Sequence, residues 1–229
     1  MTQADAREGE SASPSTSGTA ARPGAQLAWA VGALAVAVVL AATFPAWADR
    51  VPAAVEFVAS YALTWLPLAI ALGATATFWR GYLRFRPSDV LLGLALGVVA
   101  RGVGIIVQFF VTGRLPSAGV LIGGVSAAYV TSAVIAVLLA PLIEEPFFRG
   151  LLQGSLGRFI GPWPSVVITA VVFAVVHVFA DGWSVTLIVE MLVYALLAGI
   201  ATQQTKRLGP ALIAHAAFNG LAVLISWPW

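Results

Sequence analysis

Cysteine is absent, which excludes disulfides and cysteine-ligated metals. Charge is scarce: Asp, Glu, Lys and Arg make up 10% of the 229 residues, against about 25% in soluble domains. Lysine occurs once, as Lys206, and histidine twice, as His177 and His215. With 60% of residues hydrophobic, so little charge excludes a soluble globular chain. The apolar stretches are continuous rather than alternating, so they are read as helices and not as the strands of a barrel. The net charge of +2 says little about nucleic acid, and no such partner is expected. The basic residues lie in short loops beside apolar runs, where they orient membrane helices.

What is present is an almost unbroken succession of spans. Residues 1–24 are rich in Ser, Ala, Thr, Gly and Glu; they cannot bury enough apolar surface to order themselves, and a disordered tail is expected. Residues 25–229 are expected to form one transmembrane domain. The spans run roughly Leu27–Trp47, Ala53–Trp79 with Pro67 as a kink, Asp89–Thr112, a fourth beginning after Gly119–Gly124, Trp163–Ala180, Ser184–Gln204 and Leu208–Trp227. The fold class is therefore all-α, a polytopic bundle of about seven helices, or eight if one segment breaks or re-enters. Ala46-Trp47-Ala48 resembles a signal-peptidase site. The long, mildly acidic tail and the length of the run argue for a retained span instead. Trp163, Trp183, Trp227 and Trp229 suit the interfacial belts. Loops carrying Arg80–Arg86, Arg158 and Lys206-Arg207 alternate with loops holding only Arg50 and Arg114, which predicts a cytoplasmic N-terminus.

Against this background the stretch Leu142-Ile143-Glu144-Glu145-Pro146-Phe147-Phe148-Arg149-Gly150 stands out. A charge at mid-depth costs at least ~2.5–3.5 kcal/mol, so an intramembrane carboxylate is a functional-site candidate. Glu145 and Arg149 form an i,i+4 pair, and Glu144 is turned about 100° from Glu145. Phe173 and His177 share one helical face, as do His215 and Asn219. If the fourth helix ends near Arg158, Glu144 sits ~21 Å along it; His177 sits ~21 Å beyond Trp163 and His215 ~13 Å beyond Lys206. Three helices can thus bring Glu144, His177 and His215 to one level. Pro141 and Pro146 each remove a backbone donor and free a carbonyl. Arg101 in the third span and Glu190 in the sixth are expected to pair with each other or with backbone.

Glu-Glu-x-x-x-Arg at 144–149, Phe-x-x-x-His at 173–177 and His-x-x-x-Asn at 215–219 resemble the three motifs of the CPBP family. These are the CAAX-protease and bacteriocin-processing intramembrane endopeptidases, also called the Abi family. The resemblance covers roughly Ala118 to Trp229; residues 1–112 match only as generic spans. It implies a helical membrane fold whose site opens to the cytoplasmic leaflet and a peptide or protein substrate there, as for type II CAAX prenyl endopeptidases. It further implies that Glu144 activates water with help from His177, that His215 and Asn219 bind the oxyanion, and that Glu145, Arg149 and Phe173 support the motif. Family members have been described as glutamic proteases and as metalloproteases. In the metal reading Glu144, His177 and His215 hold a divalent ion such as zinc, although the usual His-Glu-x-x-His spacing is absent. Two other classes stay open: a non-enzymatic immunity or scaffold protein, and a transporter with a Glu/His proton relay, against which no inverted repeat is evident. Eleven arginines to one lysine, with abundant Ala and Val, is the usage of a GC-rich bacterial genome, so a bacterial plasma membrane is the expected location.

Overall fold

Residues 23–48, 50–116 and 127–225 are described in the computed structural model. The expected tail over 1–22, the Gly119–Gly124 stretch, Trp227 and Trp229 lie outside them. Among the described residues the fold is all helix, with no strand. The helices are α1 (Pro23–Thr43), α2 (Ala53–Ala74), α3 (Ser88–Thr112), α4 (residues 127–160), α5 (Pro162–Asp181), α6 (Val185–Thr205) and α7 (Gly209–Ile225). Six are long and apolar enough to cross a membrane, and α7 is shorter. The chain is an integral membrane protein of about seven spans. Each boundary follows local chemistry. Gly113, Gly161 and Gly182 have positive φ and close α3, α4 and α5 where a side chain would be strained. The α1 helix opens at Pro23, a ring suited to a first turn, so it reaches into the last two residues of the expected tail. The second span stops at Ala74 rather than Trp79. The Thr75 hydroxyl bonds the Ala71 carbonyl at 2.7 Å, and a separate turn, Ala76–Trp79, follows.

Lipid tails are as apolar as leucine, so helices in a membrane associate through close packing and polar contacts. That logic is visible along α3. A Cβ on Gly93 would stand 2.6 Å from Ile213 Cβ, and one on Gly97 2.7 Å from Ala217 Cβ. Both glycines let α3 lie directly against α7. Gly104, further along the same helix, faces Glu190 of α6. There Arg101 Nη1 meets both Glu190 oxygens at 3.0 Å, and its Nη2 donates to the Phe218 carbonyl at 3.1 Å. The expected pairing of the two mid-span charges is present, with backbone as a third partner. Large apolar side chains such as Leu91, Phe110 and Phe179 point outwards, as lipid contact requires.

Candidate active site

The α4 helix is built around its two prolines. It changes from α to π winding over Ile135–Leu139, back to α over Ala140–Glu145, and again to π over Pro146–Leu152. A proline ring collides with the preceding turn and offers no N–H; the wider π turn makes room. In the first π stretch the Ala140 N–H reaches the Ile135 carbonyl. The next donor in that register is Pro141, which has none, so the Ala136 carbonyl is orphaned. Asn219 Nδ2 donates to it at 2.7 Å. The motif asparagine therefore caps the backbone that the proline frees, keeping its second N–H for another acceptor.

Glu144, His177, His215 and Asn219 all line one cavity of about 590 Å³. Glu144 Oε2 lies 3.9 Å from His177 Nε2 and 4.0 Å from His215 Nε2. That oxygen is buried and has no hydrogen-bond partner among the described residues. The other oxygen, Oε1, accepts from the Trp65 indole Nε1 at 3.1 Å. Both rings have a fixed tautomer. His177 Nδ1–H donates to the Phe173 carbonyl at 2.8 Å, and His215 Nδ1–H donates to Glu145 Oε1 at 2.9 Å. In the neutral ring each Nε2 then carries a lone pair. Phe173 is fully buried; its ring packs on His177 at a centroid distance of 4.3 Å and on Phe148 at 4.9 Å.

Glu145 faces away from the cavity and is wholly buried. Its Oε2 lies 3.3 Å from Arg149 Nε, as the i,i+4 spacing predicts. Its Oε1 also takes the Tyr194 hydroxyl at 2.7 Å, so one carboxylate orients a histidine, a tyrosine and an arginine. Tyr194 and Trp65 are contributions that the sequence reading missed. The available signal was their place: both lie mid-span, where an indole N–H or a phenol needs a polar partner, rather than in the interfacial belts. Tyr194 also lies one helical turn after Glu190.

The lone pairs suit a metal, because ligating histidines commonly donate their second nitrogen to a carbonyl or carboxylate. The spacing does not. Zinc bonds of ~2.0–2.1 Å at tetrahedral angles hold ligand atoms ~3.4 Å apart, closer than the 3.9 and 4.0 Å found. Among the described residues no group of three or more such side chains is placed to hold a metal ion. The separations of 3.9 and 4.0 Å are ones a single water could bridge, with hydrogen bonds of ~2.8 Å to each partner.

A carboxylate, two imidazoles and an amide lining one cavity of a helical membrane protein are the kinds of group that hydrolysis by an activated water would use. Residues 126–221 match the family model described as type II CAAX prenyl endopeptidase Rce1-like. All three motifs that resemble the family lie inside that segment, which is less than half of the chain; the match supports a protease of CAAX type in general terms. No curated protein and no solved structure matches the chain.

Proposed function

We propose that the chain hydrolyses a peptide bond in a membrane-associated peptide or protein, using water activated by Glu144. The observation that carries this reading is the unpartnered Glu144 Oε2, facing both His Nε2 atoms in the cavity wall. A water held there gives one proton to Oε2 while its oxygen attacks the scissile carbonyl. His177 Nε2 accepts the water's other O–H bond and aims the oxygen. The new oxyanion takes a hydrogen bond from the free N–H of Asn219, and one from His215 Nε2 when that ring enters the cycle already protonated. Glu145, bound to His215 Nδ1, stabilises the imidazolium that this last bond needs, as a triad aspartate does. The C–N bond then breaks, and Glu144 returns its proton to the leaving nitrogen. Trp65 lies outside the matched segment, which supports residues 25–229 acting as one domain. The loop charges support a cytoplasmic N-terminus and a site reached from the cytoplasmic leaflet.

The test is Glu144→Ala, purified in detergent or liposomes and assayed against a library of membrane peptides. Losing a general base lowers the rate by roughly 10²–10⁴-fold, with insertion and thermal stability retained. Undiminished cleavage in that variant sinks the mechanism, and wild-type protein that cleaves nothing while conferring immunity favours the scaffold. Chelator treatment adds a second axis. A water mechanism is indifferent to it; activity lost and then recovered with added zinc places a metal between the three side chains.

A further inference from the structure

The face opposite the α1–α2 turn carries cations that the peptidase reading does not use. Arg80, Arg84 and Arg86 follow α2, Arg158 ends α4, and Lys206 and Arg207 link α6 to α7. Only Asp89 opposes them there among the described residues, and it is taken by Arg207, whose Nε lies 3.0 Å from Asp89 Oδ2. A positive loop face follows from membrane orientation alone. A built cleft does not. The Leu208 N–H donates to the Tyr82 carbonyl at 2.8 Å, which ties the two loops edge to edge. Between them lies a cleft of about 240 Å³ lined by Arg84, Phe85, Arg86, Thr205, Lys206 and Arg207.

Two details separate this cleft from generic positive charge. Lys206, the only lysine, has φ of 55°, the one positive φ outside glycine among the described residues. Glycine or asparagine is the usual choice there, so the strained backbone carries a long cationic side chain where a small residue is easier. Arg84, Arg86 and Lys206 form no ion pair among the described residues, whereas Arg207 is anchored by Asp89 and by the Thr205 hydroxyl on its backbone N–H at 3.2 Å. The cleft therefore has a fixed floor and three cations outside that ion pair, with Arg86 tied to the floor through its backbone N–H on Asp89 Oδ2 at 2.9 Å. Its apolar side names the source of the anion. Leu83 and Phe85 alternate with Arg84 and Arg86 in non-helical chain and are 49% and 60% exposed. At a membrane surface such a segment would turn Leu83 and Phe85 towards acyl chains while its arginines keep their charged ends at the headgroups.

We propose that this cleft binds the phosphate of an anionic phospholipid headgroup, with Arg84, Arg86 and Lys206 as its ligands. The proposal is independent of the peptidase reading. It is tested by native mass spectrometry of the full chain, released from detergent after titration with dioleoylphosphatidylglycerol, dioleoylphosphatidylcholine or inorganic phosphate. The expected result is a one-lipid adduct with phosphatidylglycerol, weakened roughly ten- to thirtyfold in R84A/K206A and retained in R80A/R158A, which removes equal charge from the same face. Thermal unfolding of both variants should match that of the wild type. Equal adducts with the two lipids, equal losses in both double variants, or an unfolded R84A/K206A protein overturns the proposal. Saturation by inorganic phosphate, with no gain from the lipid, overturns the lipid source.

Discussion

Glu145→Gln is the substitution whose consequence the structure fixes most closely. The glutamine carbonyl oxygen can still accept from the Tyr194 hydroxyl and His215 Nδ1, both of which meet Glu145 Oε1. What disappears is the negative charge beside Arg149. That guanidinium is 1% exposed, and none of its three nitrogens has a hydrogen-bond partner among the described residues. Its compensation is the Glu145 carboxylate and the Phe173 ring, 5.0 Å from Cζ. Stranding a buried charge costs about 3–5 kcal/mol, a large share of the about 5–15 kcal/mol that holds a typical fold. A fall in Tm of roughly 10 °C follows for a chain of this size, read from intrinsic tryptophan fluorescence in detergent. Arg149→Met should cost less, because Glu145 keeps two donors when the arginine is gone. The double variant E145Q/R149M should melt above E145Q alone, since the stranded charge is removed with its partner. An unshifted Tm in E145Q, or a double variant that melts at the sum of the two single losses, would refute the reasoning.

Three further outcomes are expected. His177→Ala and His215→Ala should each reduce peptide cleavage as far as Glu144→Ala does, and the double histidine variant should be little worse than either, because groups acting on one water are not additive; fully multiplicative losses in kcat would separate their roles. Trp65→Phe removes the indole donor to Glu144 Oε1 but keeps an aromatic ring, and a hydrogen bond to a charged group is worth about 1.5–3 kcal/mol, so kcat should fall roughly ten- to hundredfold with KM and Tm little changed; a loss confined to KM contradicts a role in positioning the carboxylate. Gly104→Ala drives a methyl into the Glu190 side chain and should break the Arg101–Glu190 pair, lowering Tm by several degrees in a melting experiment, whereas an unchanged Tm would show that α3 and α6 separate freely.

Much of this protein is determined by sequence alone, because its strongest signals are local. An apolar run must become a helix in lipid, where every backbone polar group is satisfied within its own segment, so the seven spans and most of their ends are legible. The helical period puts Glu145 beside Arg149 and turns Glu144 away. Arg101 and Glu190 are mid-span charges of opposite sign on different helices, and the cost of leaving either alone drives them together. Tertiary structure alone decides how seven rods rotate and slide against each other. That rotation brings the Trp65 indole to Glu144 and the Tyr194 hydroxyl to Glu145, contacts spanning 79 and 49 residues of sequence. It also decides what Asn219 does to the backbone. The two π stretches of α4 shift its register, and no periodicity of apolar residues records such a shift. Which carbonyl Pro141 orphans, and which amide arrives to cap it, depends on α7 lying against α4 at one depth. That depth is set by side chains packing at van der Waals distance, and the order of residues along the chain does not contain it.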